Sequence, residues 1–291
     1  MPPSKIKSYI KRLLPLRFIK EIRRDKRALF SLTIISAVVF CAIFADLLAS
    51  NYADQDLSQR FLPPSLSHPF GTDRAGRDLL SRIIYGTRLA LYIIILSTIL
   101  ALPAGIFLGG LPGYIGGKVD LIVGRIVDVL LSFPPILLAI ALIAVLGAGL
   151  ENAILAFAIV KTAGYARLVR GQVLATKEKT FVEASKMLGQ SRGRIFLAHI
   201  LPNSWTTVII EAASDAPTTL IRIAGLSYLG LGSQPPSPDW GTIIYENQSY
   251  IRNAAYAVIF PGFAIFIVAV AFCFFGEFLK DYLGKRPARM Q

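Results

Sequence analysis

Cysteine and histidine are nearly absent from these 291 residues, with two of each. Cys41 and Cys273 each fall inside an apolar run, so no disulfide framework or thiolate metal site can be built from them. His68 and His199 lie on opposite sides of the membrane by the topology argued below, which removes a His-based metal cluster. No Ser-His-Asp, Cys-His or paired-carboxylate arrangement sits in a strand-turn-helix context, so catalysis is not expected in this polypeptide. A phosphate-cradling loop is missing as well. Gly113-Tyr114-Ile115-Gly116-Gly117-Lys118 has Pro112 where the first Gly is needed and Val119 where Ser or Thr is needed. Gly71 to Arg77 has Arg in place of the Lys. Any ATP must be bound by another chain, and no cofactor is expected in this one.

Charge of either sign is scarce at 17%, acids more so, with 18 Asp and Glu against 31 Lys and Arg. What fills the chain is apolar residues, 54%, in long blocks rather than amphipathic stripes. Six blocks meet the length of roughly 20 residues that a hydrocarbon core of about 30 Å requires: 28–50, 88–111, 127–147, 150–171, 204–226 and 255–279. The expected fold is therefore an all-α, multi-pass membrane protein. The basic start and first apolar run mimic a signal peptide, but the run is too long and five more follow, so it reads as a retained first helix.

Lys and Arg set the orientation. The first 27 residues hold ten of them against two acids; with 112–126, 167–203 and the tail after Leu279 the count is 23 of 31. Segments 51–88 and 227–254 hold six. Both termini and the 172–203 loop are therefore expected in the cytoplasm. The basic residues flank apolar spans instead of forming one face with interleaved aromatics, so they read as topology and anionic-lipid signals and not as a nucleic-acid surface. The organisation that follows is a basic cytoplasmic tail (1–27), a first transmembrane helix (28–50), an extracytoplasmic loop with an interfacial helix (51–87), a five-helix core (88–280) and a cytoplasmic tail (281–291).

Within the 172–203 loop, Thr180 and Glu183 are spaced for a T-x-x-E capping box, Gly189 suits a left-handed helix end, and Pro202 opens the next span. Phe181, Ala184, Met187 and Leu188 then share one face while Lys179, Glu183 and Lys186 stay wet. Such a helix has an apolar face with nothing of its own to bury it, and either a partner protein or lipid headgroups could cover it. Outside the membrane, His68-Pro69-Phe70-Gly71-Thr72-Asp73-Arg74-Ala75-Gly76-Arg77-Asp78 reads as a structured loop leading into an interfacial helix over 78–85, either a collar or a ligand site. Inside it, Glu211, Asp215 and Arg222 step by four and seven along one face of the fifth span, and Lys161 sits mid-way along the fourth. An ionisable group there costs about 2.5–3.5 kcal/mol on insertion scales, so these residues either line a path or clamp helices together. Ala101, Gly105, Gly109 and Gly113 form a small-residue stripe suited to close packing.

Glu183-Ala184-Ser185, Gly189 and Leu201-Pro202 resemble the EAA loop of binding-protein-dependent ABC importer permeases, with Ser185 where Ala is usual and His199 displacing an Ile to position 200. The 68–78 string is similar to the branch of those permeases for dipeptides, oligopeptides and nickel. Ser132-Phe133-Pro134-Pro135, Tyr165 to Arg170, Leu226 to Gly232, Pro235 to Gly241 and Phe260-Pro261-Gly262 match that branch in the same order, from His68 to Asp281. The resemblance departs at Arg222, where similar permeases tend to carry an acid. It implies a type I importer core in a prokaryotic inner membrane, a second homologous permease, two cytoplasmic ATP-binding subunits and an extracytoplasmic solute-binding protein. Thr180, Phe181, Glu183, Ala184, Met187, Leu188, Gly189 and Pro202 would couple to an ATPase. His68, Gly71, Asp73, Gly76, Arg77 and Asp78 would form the extracytoplasmic motif. Di- or oligopeptides are the expected cargo, with nickel or a metal chelate second, and a proton-coupled carrier using Lys161, Glu211 and Asp215 as the alternative of a different class.

Overall fold

The computed structural model describes residues 15–284, so the outer parts of the two expected tails, 1–14 and 285–291, lie outside the described residues. Helices run in the order α1 (Pro15–Arg24), α2 (Lys26–Ile43), α3 (Ala45–Leu48), α4 (Leu79–Ile115), α5 (Gly117–Ser132), α6 (Pro135–Leu146), α7 (Leu150–Lys177), α8 (Thr180–Met187), α9 (Arg192–Ile195), α10 (Leu201–Tyr228), α11 (Trp240–Asn247) and α12 (Tyr256–Gly284). Three helix starts are set by aspartates whose carboxylates accept backbone N–H groups of the first turn: Asp25, Asp78 and Asp239.

Among the described residues, four helices are long and apolar enough to cross a membrane: α2, α4, α7 and α12. The expected third span, 127–147, is not one rod. It breaks at Phe133-Pro134 into α5 and α6, bent by 96°, and counts as a fifth crossing only if the pair is one broken span. Pro134 has no N–H to continue the ladder and pushes Phe133 to an extended conformation, which ends α5 there. The expected fifth span corresponds to α10, which has the length, 28 residues, but carries Glu211, Asp215 and Arg222 and does not pass as apolar. The expected interfacial helix over 78–85 is not a separate element either. It is the first two turns of the 37-residue α4, because Asp78 caps the start and nothing between Leu79 and Tyr85 breaks the ladder.

The small-residue stripe places α4 against α7. A Cβ at Gly105 would run into the Tyr165 side chain and one at Gly109 into the Ala166 carbonyl, so the two backbones meet with no room for a side chain between them. Three apolar clusters hold most of the buried apolar side chains among the described residues. The first joins α4, α10, α11 and α12 around Leu79, Ile83, Leu220, Trp240 and Ile243. The second joins α4, α6, α7 and α10 around Ile93, Ile143, Phe157 and Ile223. The third, at the other end, holds Val169, Val173, Val182, Ile195, Ile200 and Val208.

Candidate functional site

The segment singled out by sequence, 180–202, folds as two short helices separated by Gly189. Gly189 has φ +70, and its N–H donates to the Lys186 carbonyl (3.0 Å) while that of Gln190 donates to the Ser185 carbonyl (3.2 Å). This pair of bonds closes the helix end as a Schellman motif. The expected T-x-x-E box does not form. The α8 ladder starts one residue earlier, on the Lys179 carbonyl, which accepts from Val182 and Glu183 N–H, so Thr180 lies inside the first turn and its side chain caps nothing. Only Glu178 and Lys179 separate α7 from α8, and the chain passes from one helix to the next without an open end for Thr180 to close.

Val182, fully buried, and Ser185 root α8 in the third cluster, beside Val173 of α7 and Val208 of α10. The opposite face is bare: Met187 is 87% exposed, Leu188 79%, and Phe181, Glu183 and Ala184 are also exposed. Pro202 stands in the first turn of α10, as expected, and helical backbone leads into it from Arg192. A π-turn over Phe196–Ile200, with Leu201 N–H donating to the Phe196 carbonyl, widens the ladder just before the proline, where its ring would crowd a tighter one. His199 Nε2 lies 3.0 Å from Gln190 Oε1, tying the turn after α8 to this stretch. A groove of about 1170 Å³ opens beside it, lined by Ile106, Tyr114, Phe196, Trp205, Lys186 and Arg192 among others.

At the far end, the 68–78 motif builds a buried knot of charge. Asp73, Arg77, Arg82 and Glu246 have side chains at most 2% exposed. Arg77 donates to Asp73 (2.7 Å) and Glu246 (2.7 Å); Arg82 donates to Asp73 (2.6 Å), Glu246 (2.7 Å) and the Ser237 carbonyl (3.1 Å). Two guanidinium groups and two carboxylates cancel, and the bidentate geometry of Arg fits carboxylate oxygens on two sides. Gly71 (φ +77) and Gly76 (φ +75) supply the left-handed turns, and a Cβ at Gly76 would overlap the Asp56 carbonyl. His68 Nδ1 is 3.0 Å from Asp78, whose other oxygen caps Ser81 N–H. Sequence reasoning missed Arg82 and Glu246. An acid in the apolar run Trp240 to Asn247 was the available signal for the second. Asp239, just before, caps α11 through Thr242 N–H (3.1 Å), and its burial pushes the carboxyl above the ordinary carboxylate range.

Between these ends, Lys161 meets Asp215 at 2.9 Å and donates to Thr219 (2.9 Å), with Thr98 at 3.4 Å. The structure thus joins two of the four intramembrane candidates. Arg222 packs over the Phe157 ring (5.6 Å), and Glu211 is exposed one turn from Asp215.

A family model described as "Binding-protein-dependent transport system inner membrane component" matches residues 101–289, and one described as "N-terminal TM domain of oligopeptide transport permease C" matches 16–64. The chain is 42% identical over 268 residues to a dipeptide transport system permease protein of Alkalihalophilus pseudofirmus, covering 92% of this chain and 88% of that one. It is 39% identical over 270 residues to a glutathione transport system permease protein of Pectobacterium atrosepticum, covering 93% and 89%. Among solved structures it resembles the inward-facing MetNI methionine ABC transporter (TM-score 0.55, 22% identity, 70% of this chain and 97% of that chain). A second likeness is to an amino acid ABC transporter (TM-score 0.55, 16% identity, 71% and 95%).

Proposed function

The chain belongs to the family of binding-protein-dependent transport system inner membrane components, and from that premise we propose that it forms half of a membrane path for di- or oligopeptides, beside a second homologous permease. Two cytoplasmic ATP-binding subunits drive the pair, and an extracytoplasmic solute-binding protein loads it. The peptide cargo is supported by relatives named for dipeptide and glutathione transport.

The observation that carries the coupling role is the geometry of α8. Its outer face offers Phe181, Met187 and Leu188 to a partner, and covering such side chains is worth roughly 1.5–3 kcal/mol each. Its inner face is held by Val182 in the same cluster as α7 and α10. A push on α8 by a closing ATPase therefore reaches two long helices at once, through packed contacts that move as a unit. Glu183 supplies an exposed negative charge beside the apolar contacts.

Replacing Met187 and Leu188 with Asp tests this in the assembled complex reconstituted in proteoliposomes. Membrane insertion is expected to be unchanged while ATP-driven peptide uptake falls at least tenfold. Undiminished uptake would remove α8 from the coupling path. Uptake by the parent complex with a proton gradient and no ATP would overturn the ATP-driven reading altogether.

A further inference from the structure

The intramembrane charges are not equivalent. Lys161 and Asp215 satisfy each other, and Thr219 and Thr98 complete their shell. Among the described residues this leaves Glu211 and Arg222 as the ionisable groups of α10 without an ion partner. They lie eleven residues apart, close to three full turns, so they share one face and are separated by about 16 Å along the axis. Thr207, Thr218 and Gly225 fall on the same face, which is polar and small rather than apolar, while Ala216, Leu220 and Ile223 are buried on the opposite one. A stripe with one acid and one base at its ends cannot rest against hydrocarbon. It must face water, a partner or cargo.

We propose that this stripe reads the two ends of an extended oligopeptide, with Glu211 receiving the terminal ammonium and Arg222 the terminal carboxylate. The inference rests on the path reading above and deepens it. The charges are complementary to a zwitterionic chain, and a guanidinium can hold a carboxylate through two parallel N–H donors. An extended peptide spans at most 3.3–3.6 Å per residue, so a separation of about 16 Å fits roughly five residues, and side-chain reach widens this to about four to six. A dipeptide, at about 7 Å, engages one station at a time. Since α10 leaves the loop that carries α8, Glu211 is the station nearer that loop, and the peptide lies with its amino end toward it.

The test uses the whole transporter in proteoliposomes, with saturating solute-binding protein, which is the same in every preparation so that its own preferences cancel. ATP-driven uptake is measured for penta-alanine with free ends, N-acetylated, or C-amidated, and for di-alanine. In the parent, blocking either end of the pentamer is expected to slow uptake at least fivefold. Arg222→Gln should erase the penalty for amidation and leave that for acetylation; Glu211→Gln should do the reverse; Arg222→Lys and Glu211→Asp should restore most of each. Di-alanine uptake should change less than twofold in all four variants. Free-to-blocked ratios that stay at the parent value in Arg222→Gln and Glu211→Gln overturn the inference, as does an equal loss for dimer and pentamer. Absence of ATP-driven peptide uptake in the parent would instead sink the peptide reading itself, so the two failures are distinguishable.

Discussion

Glu246 shows what single residues do in this fold. It is the carboxylate that lets two buried arginines from the 68–82 segment close onto α11, and it reaches both of them at 2.7 Å. Buried pairs of this kind add little net stability when intact, yet losing one member leaves the others charged and unpaired, which costs about 3–5 kcal/mol. Glu246→Gln is therefore expected to lower stability by about that amount. Thermal unfolding in detergent measures it, and a change within 1 kcal/mol would show that water already reaches the knot. Asp239 offers a pH-dependent counterpart. Its carboxyl has an ordinary value of 3.8 and is raised by burial in the folded state, so the folded protein binds this proton more tightly than the unfolded chain. Stability from this group is full below the ordinary value and falls as pH rises through the raised one. Asp239→Asn keeps an oxygen for Thr242 N–H and removes the charge, so this slope should vanish from melting curves taken across acidic pH while the α11 cap persists.

At the scale of elements, the same residue type does two different jobs. Gly109 is required by space: an added Cβ meets the Ala166 carbonyl of α7, and α4 must move away to admit it. Gly189 is required by backbone conformation: it has φ +70 with open space around it, so an alanine there costs only the left-handed penalty of about 1–2 kcal/mol per residue. Gly109→Leu should consequently unpack α4 from α7 and abolish folding, as read by loss of a monodisperse species in detergent. Gly189→Ala should leave the fold intact and reduce coupled transport by severalfold through a frayed α8 end. Equal behaviour of the two variants would show that the α4–α7 crossing has slack. Both glycines were legible in the sequence, one from its period of four in an apolar run and the other from its place after an amphipathic turn. The capping role of Thr180 was not. A T-x-x-E spacing describes a helix capped by that Thr, whereas the α8 ladder starts on the Lys179 carbonyl, with only Glu178 and Lys179 between α7 and α8.

On the whole molecule, hydropathy located the long apolar helices without separating a rod from a bent pair; that signal lay in Pro134 and Pro135, which interrupt the helix ladder. The charge knot was half legible: the 68–78 glycines and charges pointed to a structured loop, but Glu246 lies 169 residues from Arg77 and only the tertiary fold brings them together. Overall orientation depends on a summed bias of Lys and Arg, with ten of them in the first 27 residues and six in the two segments expected outside. It can be tested with positions that the fold leaves free. Leu66 is fully exposed in the loop before α4, and Leu188 is 79% exposed at the end of α8. With Cys41 and Cys273 replaced by Ala, Leu66→Cys should react with a membrane-impermeant maleimide added to intact cells, and Leu188→Cys only after permeabilisation. Because α5 and α6 lie between these two positions, labelling of both from the same side would mean that the bent pair does not cross. Only α4 and α7 would then cross between the knot and α8, an even number that leaves both on one side.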